Sequence, residues 1–112
     1  MFSSTQFKSV IAAGGAAISY FDKVMISADK TKLATGETCI ISFRWQKFDV
    51  NIGQHIDNPD NSADILVQIA GATYQIPPQE TIEFISDEPG TYNVTITNPF
   101  TESNGPLTLE VV

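Results

Sequence analysis

The chain has 112 residues, of which 42% are hydrophobic, and this predicts one globular domain with a core of ordinary size. Acidic side chains outnumber basic ones by 13 to 6, and the resulting net charge of -7 argues against direct binding to nucleic acid, because phosphate groups would be repelled. Cys39 is the single cysteine, which excludes an internal disulfide, and no apolar run approaches the roughly 20 residues that a membrane span needs.

Residues 1–22 predict an N-terminal arm. Phe7, Val10 and Ile11 have the i, i+3, i+4 spacing of one helical face, but eight or nine residues do not hold a helix alone in water. Two interpretations stay open, namely a short helix buried against something and an extended arm that orders only on a partner. In both, we expect Phe2 and these three residues to bind a partner.

The uncharged stretch Val10–Phe21, preceded by Lys8, weakly resembles a secretion signal. It is rich in glycine and alanine, however, and lacks the leucines of a strong hydrophobic region. We therefore expect it to be retained in the protein.

Residues 23–112 predict a β-sandwich, because apolar and polar residues alternate with the period of two that a half-buried strand requires. The strands are expected at 23–28, 39–46, 64–70, 81–85, 92–96 and 107–111. The second of these is the clearest. Cys39, Ile41, Phe43 and Trp45 share its apolar face, so Cys39 is expected to be an inert buried thiol.

Residues 49–63 predict a long polar loop, and loops of this length are usually functional or ordered by a neighbour. His55 is expected to be solvated, because no cysteine or second histidine completes a metal site or a catalytic triad. His55 and Asp57 are candidates for partner binding. Asp57, Asp60 and Asp64 could offer oxygen ligands to calcium, but their spacing fits no EF-hand loop and such residues also form turns. We predict no cofactor, no metal and no catalytic residues.

The stretch Asp87–Ile96 predicts a tight turn that feeds a strand. With Asp87, Gly90 and Tyr92 it resembles the corner between the fifth and sixth strands of immunoglobulin-like domains, in which the tyrosine hydroxyl binds back to the turn. The segment Lys32–Thr38 is similar to the turn before the second strand of bacterial and phage immunoglobulin-like modules. The resemblance covers about residues 23–112 and implies an all-β, immunoglobulin-like antiparallel sandwich. The resemblance also implies structural roles for Asp87, Gly90, Tyr92 and Trp45.

Two departures separate the chain from antibody-type domains. Cys39 lies where those domains carry their first bridging cysteine, but Val94 occupies the matching position. Trp45 lies on the second strand, whereas the antibody tryptophan belongs to the third. The resemblance is therefore to disulfide-free relatives.

Freestanding domains of this kind resemble accessory proteins of tailed-phage virions, such as head decoration or tail proteins. The resemblance implies a non-enzymatic, multi-copy structural role in the virion, assembled in the host cytoplasm, with other virion proteins or further copies of the chain as partners. It also implies weak adhesion to the host surface or its glycans. The alternative is a bacterial secreted or cell-surface adhesion module.

Overall fold

The computed structural model describes residues 21–112, which form an all-β structure of two packed sheets. The strands are β1 Asp22–Ala28, β2 Lys32–Leu33, β3 Cys39–Asp49, β4 Gln54–Asp57, β5 Ile65–Ile69, β6 Ala72–Ile76, β7 Thr81–Phe84, β8 Gly90–Ile96, β9 Thr101–Ser103 and β10 Leu107–Val111. One sheet has the order β4-β3-β1-β9, with β7 also paired to β3, and the other has the order β2-β10-β8-β5-β6. The predicted all-β fold class is confirmed.

The core lies between the two sheets and is built from the inward residues of the alternating strands. Its fully or almost fully buried side chains are Val24, Ile26, Leu33, Cys39, Ile41, Phe43, Trp45, Ile65, Val67, Ile69, Ile76, Val94, Leu109 and Val111. Burial of aliphatic side chains at roughly 1.5–3 kcal/mol each is the main favourable term, since no disulfide is present in this part of the chain.

β3 is the longest strand and joins two different partners on one side. Its first four residues pair with β7, from Cys39 opposite Phe84 to Ser42 opposite Thr81. Its last four residues pair with β4 instead. β3 therefore runs the length of the sandwich, and its final residues extend beyond the core as a hairpin with β4.

One side of the sandwich is closed by segments that pass from one sheet to the other without reversing direction. β1 pairs with β3, and after a bend the chain continues as β2 alongside β10. β9 runs parallel to β1, and the chain then continues as β10 in the opposite sheet. Both sheets are consequently mixed, which corrects the predicted antiparallel arrangement. Each of these segments keeps its direction, and the edge strand beside it runs the same way, so the resulting pair is parallel.

Four strands, β2, β4, β6 and β9, occupy segments in which the sequence predicts no strand. β2 lies in the predicted turn Lys32–Thr38, and β4 lies inside the predicted polar loop. β6 and β9 lie in the stretches that separate predicted strands, after residue 70 and after residue 96. Each of them pairs at a sheet edge, so its alternation is weak. Residues 1–20 of the predicted N-terminal arm or helix lie outside the described residues, and β1 begins at Asp22.

Candidate interaction surfaces

Four ring side chains lie together at the end of the sandwich where β1 begins. The rings of Phe21 and Phe100 are 6.4 Å apart, and the ring of His55 meets the edge of Phe48 at 5.4 Å. His55 Nε2 also lies 2.8 Å from the backbone oxygen of Phe21, which joins the two pairs. These four residues define what we call the aromatic end. Phe21, the first residue that the structure describes, lies at this end.

The aromatic end is unusually exposed for its composition. Phe21 keeps 52% of its surface exposed and Phe100 keeps 83%. Val50 and Ile52, at the tip of the β3–β4 hairpin, are also exposed. Contiguous apolar surface of this kind is typical of interaction sites rather than of the rest of a monomer's surface.

Phe100 combines this exposure with an unfavourable backbone conformation. Its φ angle is +52°, in the left-handed region that bulky residues rarely adopt. Neither burial nor backbone preference therefore accounts for a phenylalanine at this position. Such an observation favours a functional reason.

The hairpin that carries this surface is held by local hydrogen bonds. At its turn, the Gly53 amide donates to the Asp49 backbone oxygen at 2.8 Å, and the Asn51 amide donates to the Asp49 side chain at 2.9 Å. Gly53 has a φ of +71°, which glycine adopts without strain. The tip is thus a built turn with apolar side chains on it.

Asp57 is engaged within the hairpin. Its Oδ1 accepts a hydrogen bond from Gln46 Nε2 at 3.0 Å and an ion-paired one from Arg44 Nε at 2.9 Å. The Gln46 hydrogen bond and then the Arg44 guanidinium hold the pKa of Asp57 below its usual range. This carboxylate is already satisfied on one oxygen, so its predicted role in partner binding would have to use the other.

The three calcium candidates do not converge. Asp64 accepts a hydrogen bond from Gln75 at 2.6 Å, and Asp57 is paired as described. Among residues 21–112, no group of three histidine, cysteine, aspartate or glutamate side chains is placed to hold a metal ion. Asp60 is in the turn between β4 and β5.

His55 lies on β4 rather than in an irregular loop, and it is half-buried. The prediction that His55 lies in an irregular loop is therefore wrong, because β4 places it directly opposite Phe48. The other residues predicted to bind a partner, Phe2, Phe7, Val10 and Ile11, lie outside the described residues.

The turn between β7 and β8 is fastened by Tyr92. Its hydroxyl donates a hydrogen bond to the Glu88 backbone oxygen at 2.8 Å and lies 2.9 Å from Ser86 Oγ. Ser86 Oγ also accepts the Glu88 amide at 3.1 Å, so the side-chain bonds of this corner come from Ser86 rather than from Asp87. Gly90 opens β8 with a φ of +156°.

Two polar groups in the core are satisfied by backbone oxygens. Trp45 is buried, and its Nε1 donates to Ala63 at 2.9 Å, which ties β3 to the segment before β5. The Cys39 thiol donates to Lys30 at 3.1 Å. Burial raises the pKa of Cys39, which keeps it a thiol.

A groove lies between the two sheets on the side opposite the sheet-crossing segments. Its volume is about 510 Å³. It runs between β6 of one sheet and β7 of the other, near the Tyr92 corner. The lining residues are Ile69, Ala70, Tyr74, Ile82, Glu83, Phe84, Ile85, Ser86 and Tyr92.

The sequence indicates these surfaces only in part. It singles out His55 and Asp57, but Phe48 falls on the polar face of β3, and Phe21 and Phe100 flank strands without alternating in them. Within residues 21–112 there is no helix long and apolar enough to cross a membrane. No family model matches the chain, and neither the curated proteins nor the solved structures include a significant match.

Proposed function

We propose that this chain is an immunoglobulin-like domain that serves as a non-enzymatic, multi-copy structural protein of a phage virion, attached through its N-terminal arm. Two features support the immunoglobulin-like assignment. The first is the segment from β1 to β2, which begins in one sheet and ends parallel to the last strand of the other. The second is the Tyr92 corner, whose hydroxyl binds the backbone of the preceding turn.

Phe100 is the observation that carries the attachment. An exposed phenylalanine with a left-handed backbone stabilises neither the core nor its own turn. It lies against Phe21, which is in the last part of the predicted arm, just before β1. A partner that covers the aromatic end would therefore contact the arm and the sandwich together. The placement in a virion rests on the resemblance of a single disulfide-free immunoglobulin-like domain with a short arm to accessory proteins of tailed-phage virions.

The proposal is tested by Phe100→Gly, because glycine adopts the left-handed conformation readily and removes only the ring. We expect the stability of this variant to stay within about 1 kcal/mol of the parent. Particles purified from cells that carry the gene should contain the parent chain in many copies, by quantitative mass spectrometry, and at least about tenfold fewer copies of the variant, which corresponds to about 1.4 kcal/mol of lost contact.

Gln79→Gly is the matched control, since Gln79 is also exposed and also left-handed, with a φ of +67°, but lies between β6 and β7. It should attach as the parent does. Particles that lack the parent chain altogether would refute the virion role. Equal attachment of Phe100→Gly and the parent would refute the role of the aromatic end.

A further inference from the structure

The groove marks the one side on which the described sandwich is left open. On the opposite side, the segments β1–β2 and β9–β10 pass from one sheet to the other. At the groove, β6 pairs only with β5, and β7 pairs only with β3, so the outer edges of both strands are unpaired within the described residues. Tyr74, 46% exposed, and Ile85, 57% exposed, face this opening.

The size and lining of the groove fit an apolar peptide segment. Its 510 Å³ lies within the range of about 300–1,000 Å³ that binding clefts occupy. Its walls are mostly aliphatic and aromatic, with Glu83 as the charged residue of the lining. A groove of this kind, flanked by unpaired strands, accepts either an extended strand or the apolar face of a short helix.

The charges of the chain identify a complementary segment. All 13 carboxylate side chains lie in residues 22–110, and Asp87 and Glu88 follow the groove residue Ser86 directly. Residues 1–20 contain no acidic side chain, and Lys8 is their one basic residue. Phe7, Val10 and Ile11 surround that lysine. This stretch is therefore apolar and cationic, as the groove and its rim require.

The position of the arm favours the groove of another copy over that of its own. Lys23 pairs with Gln46, so Phe21, two residues earlier, lies level with the far end of β3 near Phe48. The groove residue Phe84 pairs with Cys39, at the start of β3. This offset is about 30 Å along β3, at about 3.3 Å for each residue. Ten residues separate Ile11 from Phe21 and span at most about 33–36 Å when fully stretched. Binding within one copy would thus leave almost no slack for the path around the sheet.

We propose that the N-terminal segment around Phe7, Val10 and Ile11 binds the β6–β7 groove of a second copy. The inference deepens the proposed function and rests on it, since it names the acceptor of the arm. Phe21, to which this segment is joined in sequence, lies at the aromatic end, and the groove lies near the Tyr92 corner, so the proposed contact joins copies head to tail. Such a heterologous contact builds a ring or an open chain of copies. It also brings the exposed aromatic end of one copy against its neighbour.

The test uses two full-length variants with complementary defects. Phe7→Asp damages the arm and leaves the groove intact, whereas Ile85→Glu damages the groove and leaves the arm intact. Val112→Glu is the matched control, because Val112 is also 57% exposed but lies beyond β10 and does not line the groove. Circular dichroism verifies that each variant keeps the fold of the parent.

Mass is measured by light scattering after size exclusion over a range of concentrations. We expect the parent and Val112→Glu to exceed the 12.2 kDa of one chain as concentration rises. Each defective variant alone should stay at 12.2 kDa, with its dissociation constant raised at least about tenfold. An equimolar mixture of the two should form a dimer that grows no further, because one intact arm meets one intact groove.

A parent chain that remains monomeric at every concentration would overturn the inference, and so would a mixture that remains monomeric. Self-association that survives Ile85→Glu would place the contact elsewhere and overturn it as well. These results are independent of the virion role. A chain that self-associates in this way but is absent from particles would refute the proposed function alone, and a monomeric chain found in particles would refute the inference alone.

Discussion

Replacement of Tyr92 by phenylalanine isolates the hydrogen bond that fastens the β7–β8 corner. The variant keeps the ring, which packs against Phe84 with the ring centres 5.2 Å apart, and removes the hydroxyl. That hydroxyl donates to the Glu88 backbone oxygen at 2.8 Å and lies 2.9 Å from Ser86 Oγ. We expect the free energy of unfolding to fall.

The size of the fall follows from the contacts that remain. A typical hydrogen bond contributes about 0.5–1.5 kcal/mol, and a partner left unsatisfied in a buried place adds to the cost. Tyr92 is half-buried, and Ser86 Oγ lies 3.1 Å from the same Glu88 oxygen, so that oxygen keeps a donor. We therefore expect a loss of about 1–1.5 kcal/mol, which for a domain near 100 residues lowers Tm by roughly 4–10 °C.

Urea unfolding measured by the fluorescence of Trp45 provides the assay, since Trp45 is the single tryptophan and is buried in the core. The midpoint should move while the slope of free energy against urea stays the same. Tyr74→Phe is the control, because its ring lines the groove and its hydroxyl takes no part in the hydrogen bonds of the β7–β8 corner. Equal stabilities for Tyr92→Phe and the parent would show that the corner bond does not stabilise the fold.

Three further predictions concern other parts of the sandwich. Asn104→Ala removes two bonds that its side chain makes to the backbone of β1, at 2.7 and 2.9 Å, and should cost about 1–3 kcal/mol and speed hydrogen exchange of the β1 amide that donates to it. Cys39, buried and with its pKa raised by burial, should react with a thiol reagent only as fast as the domain opens, so urea should accelerate labelling. Hydrogen bonds lower the pKa values of three carboxylates, Asp29, Glu37 and Asp57. The main donor is a backbone amide for Asp29 and Glu37, and the side chain of Gln46 for Asp57. The stability that these carboxylates contribute to the fold is therefore complete above their ordinary pKa values of 3.8 for aspartate and 4.5 for glutamate, and it is lost as the pH falls through the lowered pKa values. A urea midpoint that stays constant from pH 6 to pH 2 would contradict this prediction.

The strands that face the core could be predicted from the sequence because burial imposes alternation on them. In β5, and in β3 from Cys39 to Trp45, each second residue is buried, and the pattern is visible without any structure. β6 shows the opposite case. Only Ile76 among its five residues is buried, so the strand is specified by its pairing with β5 and not by a face of its own.

In the connections before and after β9, asparagine side chains make the hydrogen bonds that backbone groups make within a sheet. Asn104 both accepts from and donates to Ile26, as a strand residue would, and Asn98 does the same with Leu66 and Asp64. An asparagine in a turn-rich segment ordinarily indicates a turn. The sequence therefore predicts loops where these amides extend the sheets.

The open side explains why the groove would select one partner without promoting general aggregation. Exposed strand edges ordinarily invite pairing with any extended chain. Here β7 has four residues with Glu83 among them, and β6 is followed at once by Pro77 and Pro78, which donate no backbone hydrogen bond. Backbone pairing along the groove is consequently short, and most of the binding energy has to come from side chains that fill the space around Tyr74 and Ile85. An occupant must then match the shape and charge of the groove, which a single segment of defined sequence does.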